Sequence, residues 1–94
     1  MASYELLFRR SALKDLRRLP AQDVKMLWAT ISGLREDPRP AQSQKLTARE
    51  QYRLRKGRYG ILYEIEDTRV VIVVVKIAHR KDVFRKRTAS GMER

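Results

Sequence analysis

The sequence predicts an α+β domain. It consists of an N-terminal strand, then an antiparallel helical hairpin packed on one face of a small twisted antiparallel sheet, in the order β-α-α-β-β-β with a short C-terminal helix. Three observations lead there. Apolar residues recur at helical spacing from Ser11 to Glu36. Beyond Glu50 the apolar period changes to two. Two short polar turns, Gly57-Arg58 and Asp67-Thr68, divide that second region into three segments short enough for a meander.

Ser3 to Phe8 reads as the first strand, and it must join the sheet at an edge. Ser11 to Leu19 reads as a helix with Leu13, Leu16 and Leu19 on one stripe. Pro20 closes it and fits just inside the start of the next helix. That helix, Ala21 to Glu36, carries Val24, Leu27, Trp28, Ile31 and Leu34 at helical spacing and ends before Pro38 and Pro40. The tight joint between the two implies a helical hairpin. Ala41 to Glu50 is a polar connection. Gln51 to Lys56 and Tyr59 to Glu66 follow as strands, the latter with Tyr59, Ile61, Tyr63 and Ile65 on one face. Arg69 to Ile77 is apolar on both faces, so a central, doubly covered strand is expected. From Asp82 on, a short helix and a tail are expected, with residues 1–87 as one domain and 88–94 as a flexible end.

Composition narrows the function. The chain has 94 residues, the size of one domain. Without cysteine there is neither a disulfide framework nor a thiolate metal site. The N-terminus has no secretory pattern, and the longest apolar run, Val70 to Val75, is far short of the roughly 20 residues that span a bilayer. A cytoplasmic protein with no membrane association is expected. The charge balance is the strongest signal. Lys and Arg number 22 against 11 Asp and Glu, a net charge of +11. Such a field draws phosphate backbones, RNA above all, although an acidic protein would exploit it equally.

Strand alternation localises part of this charge. If Tyr52 and Leu54 face the helices, Arg53 and Arg55 stand side by side on the open face, about 7 Å apart. Arginine holds phosphate through a planar two-pronged fork, so the pair can grip one phosphate or two successive ones. Ordinary solvated charges on a strand face are the plain alternative. Lys56 and Arg58 add charge at the turn, and Gly60 leaves a gap on the same face that a backbone or a base could approach. His79, the only histidine, ends the last strand beside Arg80 and can exchange a proton near neutral pH, unless it is merely a surface residue. Phe84 offers a ring to stack on a base or to pack on the core, and Lys81 and Arg85 extend the basic surface. There is no phosphate-binding glycine loop, no zinc spacing and no paired-carboxylate site. Arginine, lysine and one histidine suit phosphoryl transfer without metal or cofactor, in which RNA supplies its own 2′-hydroxyl as nucleophile.

Nearly the whole chain resembles the RelE/ParE superfamily of bacterial toxin–antitoxin toxins. The resemblance is carried by YELLFRRSALKDLRRLP, by LREDPRPAQSQKL, and by QYRLRKGRYGILYEIED followed by VVIVVVKIAHRKDVFR, which resembles the family's sheet and its closing HR-x-D-x-Y-R motif. It implies a RelE-like toxin that enters the ribosomal A site and cuts messenger RNA, leaving a 2′,3′-cyclic phosphate and a 5′-hydroxyl, and so arrests growth. Arg53 and Arg55 fall where the family has two basic residues on a strand. Arg80 falls on its strand-end arginine, and His79 matches the histidine variant of that motif. Two positions depart: Gly60 stands where well-known members have an arginine, and Phe84 where many have a tyrosine, which moves the expected proton transfer to His79. Lys56, Arg58, Lys81, Phe84 and Arg85 then serve to bind RNA. The implied partners are the ribosome, mRNA and an acidic antitoxin in a hetero-oligomer. Two further readings remain open at this point: a ParE-type gyrase inhibitor that cuts nothing, and a non-catalytic RNA- or ribosome-binding module.

Overall fold

A computed structural model of the chain describes residues 3–46 and 50–79. The elements are β1 (Glu5–Phe8), α1 (Arg10–Arg17), α2 (Ala21–Gly33), β2 (Ser43–Lys45), β3 (Gln51–Lys56), β4 (Tyr59–Glu66) and β5 (Val71–His79). The two helices pack on a five-stranded sheet of order β1-β5-β4-β3-β2, so the expected α+β architecture is present. The expected C-terminal helix, together with Arg80, Lys81, Phe84 and Arg85, lies outside the described residues.

The sheet differs from expectation in two respects. It is mixed rather than antiparallel, because β1 joins the edge of β5 in parallel register, with Leu6 beside Ile72 and Phe8 beside Val74. It also has a fifth strand inside the segment read as a polar connection: Ser43–Lys45 pairs antiparallel with β3. An edge strand needs only backbone partners, so the polar Ser-Gln-Lys leaves no apolar period to detect.

β5 is an interior strand, as expected, between β1 and β4, and β4 takes the middle of the sheet. Its residues Ile61, Tyr63 and Ile65 are fully or almost fully buried under the helices, against Leu27, Ile31 and Leu34. β5 buries Ile72, Val74 and Ile77 on that side, while Val73 and Val75 are half-buried, so the second face is only partly covered. The β4–β5 register slips between Leu62 and Tyr63, which pair with Lys76 and Val74 and leave Val75 as the extra residue of a bulge. β1 has ended there, and α1 supplies substitutes: the Ser11 hydroxyl donates to the Val75 carbonyl at 2.7 Å, and the Asp15 carboxylate accepts from the Ile77 N–H at 3.0 Å.

The helices are shorter than their apolar stripes imply. α2 ends at Gly33, short of Glu36, and Pro20 occupies its N-cap with extended backbone rather than its first turn. Leu13 and Trp28 remain 42% and 51% exposed, although both match helical spacing. Trp28 instead stacks on Phe8, with ring centroids 5.8 Å apart.

The β4–β5 end of the sheet is closed by Arg39. Its guanidinium donates to Glu50 Oε1 at 2.8 Å, to Asp67 Oδ2 at 2.9 Å and to the Tyr52 hydroxyl at 2.8 Å, and it lies 5.3 Å from the Tyr52 ring centroid. Tyr4 completes the cluster by donating to Asp67 Oδ1 at 2.8 Å. Hydrogen bonds from Arg39, Lys45 and Tyr52 lower the Glu50 carboxyl to about 2, and Arg39 followed by Tyr4 lowers Asp67. Both folded-state values lie below the unfolded ones. The stability they contribute is therefore present above the ordinary carboxylate range, at about pH 4–4.5, and is lost as pH falls toward 2. Arg39→Met should lower the urea midpoint at pH 7, and its difference from wild type should close between pH 5 and 2. A difference that stayed constant with pH would show that the cluster adds nothing through charge.

Candidate nucleic-acid interface

Cross-strand pairing fixes which side chains share a face, because directly paired residues point the same way. On the face away from the helices, one row runs Gln44, Arg53, Leu62, Lys76 and the next runs Arg55, Gly60, Ala78. Arg53 and Arg55 are thus neighbours on the open face, as the alternation predicts. Arg53 is half-buried and donates to Gln44 Oε1 at 3.1 Å, while Arg55 is exposed. Gly60, between Arg55 and Ala78, is buried, so the gap expected there is not open to solvent.

His79 lies on the opposite face. It pairs with Tyr59, and the two rings meet edge to face with centroids 5.9 Å apart. Tyr59 is 5% exposed and donates to Asp23 Oδ2 in the first turn of α2 at 2.6 Å. That bond and burial hold the Tyr59 phenol above its usual range, so it remains a donor at neutral pH. The structure brings Arg53 and Arg55 together and places His79 behind the sheet from them. All three nevertheless belong to the half of the sheet toward the β3–β4 turn, since the Arg55 row ends at Ala78, the residue before His79. Gly57 forms that turn at φ 59°, a conformation glycine adopts without strain, and Lys56 and Arg58 flank it, exposed.

Charge is sorted along the sheet. Glu5, Glu50, Glu64, Glu66 and Asp67 gather toward the β4–β5 turn, where Arg9, Arg39, Lys45 and Arg69 pair with four of them. Toward the β3–β4 turn the carboxylates Asp15 and Asp23 are engaged inside the fold, by Lys76 with the Ile77 amide and by Tyr59 respectively. Among the described residues Arg55, Lys56 and Arg58 form no ion pair. Asp37 lines a hollow with Arg55 and Lys56 but pairs with neither, so among the described residues these cations can meet a phosphate backbone without breaking an ion pair. Among the described residues no three His, Asp or Glu side chains are grouped to hold a metal.

Sequence reasoning passed over Lys76, which shares the open-face row with Arg53 and is held by Asp15 at 3.3 Å. The signal was present, as the single charge interrupting the apolar run of the last strand. The Tyr59–Asp23 bond spans 36 positions, and no local pattern announces it.

Comparison with known proteins gives a consistent neighbourhood. The profile of a family described as the ParE toxin of a type II toxin–antitoxin system, parDE, matches residues 6–84. Toxin RelG of Mycobacterium tuberculosis is 29% identical over 87 residues, covering 88% of this chain and 98% of that protein. The toxin–antitoxin complex RelBE2 of the same organism superposes with a TM-score of 0.73 at 25% identity, over 83% of this chain and 99% of the matched one. The intact Escherichia coli RelBE complex gives 0.72 at 26%, over 82% and 96%.

Proposed function

The chain belongs to the ParE toxin family of type II toxin–antitoxin systems, and from that premise we propose that it is a ribosome-dependent endoribonuclease that cuts messenger RNA in the ribosomal A site. The observation that carries this reading is the adjacent pair Arg53 and Arg55 on the open face, beside a β3–β4 turn at which Lys56 and Arg58 form no ion pair among the described residues. The match to Toxin RelG and the likeness to RelBE complexes favour the RelE-type branch.

In this reaction the 2′-oxygen bonds to the adjacent phosphorus and the bond from phosphorus to the 5′-oxygen breaks. The products are a 2′,3′-cyclic phosphate and a 5′-hydroxyl. One proton leaves the 2′-hydroxyl and one reaches the departing oxygen, with no metal or cofactor required. Arg53, Arg55 and Arg80 hold the phosphate and stabilise its growing negative charge, which is commonly the largest catalytic contribution. His79 moves the proton. Lys56, Arg58, Lys81 and Arg85 track the RNA backbone, and Phe84 stacks on a base.

The observed faces add a constraint. Arg55 on β3 and Ala78 on β5 share one row and are two strand spacings apart, about 10 Å. A phosphate served by both arginine and His79 must therefore sit at the end of the sheet, beside Arg55, rather than over its middle. Acting on ribosomes, the protein works in the cytoplasm. Its neutralising partner is an antitoxin with an acidic amphipathic segment that covers the basic surface, by analogy with the RelBE complexes.

A second reading has its own support. The matching family carries the ParE description, and Gly60 stands where the resemblance to well-known members implies an arginine. This reading is a gyrase inhibitor that cuts no RNA. Mapping mRNA 5′ ends after brief expression separates the two. New ends inside translated codons support cleavage, whereas intact messages with double-strand chromosome breaks support gyrase inhibition.

A further inference from the structure

We infer that Tyr59 is a positioning residue for His79, and that its hydrogen bond to Asp23 is the link through which α2 fixes the imidazole at the end of the sheet. The inference rests on the reading of His79 as the proton carrier. Three independent features meet at Tyr59. It is the direct cross-strand partner of His79, so the backbone ladder sets the separation of the two residues. Its ring meets the imidazole edge to face at 5.9 Å and 74°, an arrangement that aromatic pairs prefer. Its hydroxyl is tied at 2.6 Å to Asp23, the only acid in the first turn of α2, where the helix N-terminus favours a negative charge.

The same helix also lies beside the turn next to Tyr59. Met26 Cε and Sδ lie 3.8 and 3.9 Å from where a side-chain carbon on Gly57 would be. The Tyr59 ring is therefore held from its hydroxyl end by α2 and from its backbone by β5, and it gives the imidazole a rigid wall. Among the described residues the charged groups around this wall are Asp23 behind it, Lys56 paired across from Tyr59, and Arg58 in the turn. A flexible strand-end histidine samples many orientations, and small misplacements of a proton carrier are costly in rate.

The chain has one histidine, so its imidazole can be followed by NMR without ambiguity. Tyr59→Leu removes the ring, and Tyr59→Phe keeps the ring but frees it from Asp23. For variants that remain folded by backbone amide spectra, the imidazole Cε1–H and Cδ2–H signals should shift in Tyr59→Leu. In Tyr59→Phe they should broaden or move toward averaged values. In ribosomes programmed with a defined mRNA, single-turnover cleavage should slow about 10- to 100-fold in Tyr59→Phe with unchanged half-saturation. Asp23→Ala should match it, and Asp23→Asn, whose amide oxygen still accepts from the phenol, should recover most of the rate. Wild-type imidazole signals in both Tyr59 variants would overturn the positioning role. Full cleavage by His79→Ala would instead overturn the proton-carrier reading, while the imidazole signals would still report whether Tyr59 orients the ring.

Discussion

Arg55→Ala is expected to slow mRNA cleavage about 100- to 1000-fold, the range seen when one preorganised donor to a developing oxyanion is removed. Arg53→Ala should lose about 10-fold, consistent with one charged hydrogen bond to a neighbouring phosphate. The difference follows from their places. Arg55 is exposed and lies in the row that ends at Ala78, next to His79, whereas Arg53 is half-buried and already bonded to Gln44. Removing an exposed side chain without an ion pair should leave stability within about 0.5 kcal/mol of wild type. Single-turnover cleavage on programmed ribosomes, with thermal unfolding alongside, measures both quantities. Equal losses for the two variants would move the scissile phosphate to the middle of the sheet and away from His79.

The largest stability effect should come from Leu27→Ala, at about 2–5 kcal/mol. Leu27 is 0% exposed and belongs to the cluster with Ile61 and Tyr63, and a cavity there cannot be filled by water at low cost. A 94-residue domain has only about 5–15 kcal/mol in total, so the variant should be near the edge of folding at 37 °C. Trp28→Ala, one position along the same helix, should cost only about 1–2 kcal/mol, mostly the stack on Phe8. Urea unfolding of the two variants tests whether the core lies where the burial places it. If Trp28→Ala proved the more damaging, the assigned face of α2 would be wrong.

This contrast also indicates what the sequence made legible. The periodicity located both helices and β3, β4 and β5, because each buries a face and burial imposes a period. It could not separate Leu27 from Trp28, since both satisfy helical spacing and only the sheet's outline decides which is covered. β2 escaped notice for the opposite reason, since it buries little and is held by backbone pairing. The parallel placement of β1 depends on how the helices return the chain, which local pattern does not encode. At the candidate site, Arg53 and Arg55 were readable from alternation because β3 is regular. His79 is legible as a strand-end residue, but the face it takes depends on the bulge at Val75, which reverses the alternation along β5 and which no local pattern marks. Lys76 was hidden in a run otherwise read as apolar. The Tyr59–Asp23 tether and the Arg39 cluster join distant segments, and charge counting registered them only as part of the net balance.

The most direct measurement of the central claim uses purified protein, ribosomes and an mRNA of known sequence, and identifies the chemistry of the new RNA ends. The account predicts cleavage within the A-site codon, upstream fragments ending in a 2′,3′-cyclic phosphate, and downstream fragments beginning with a 5′-hydroxyl, all abolished in an Arg53→Ala/Arg55→Ala double variant that keeps its fold. Intact mRNA under saturating protein, or ends bearing a 5′-phosphate, would contradict it.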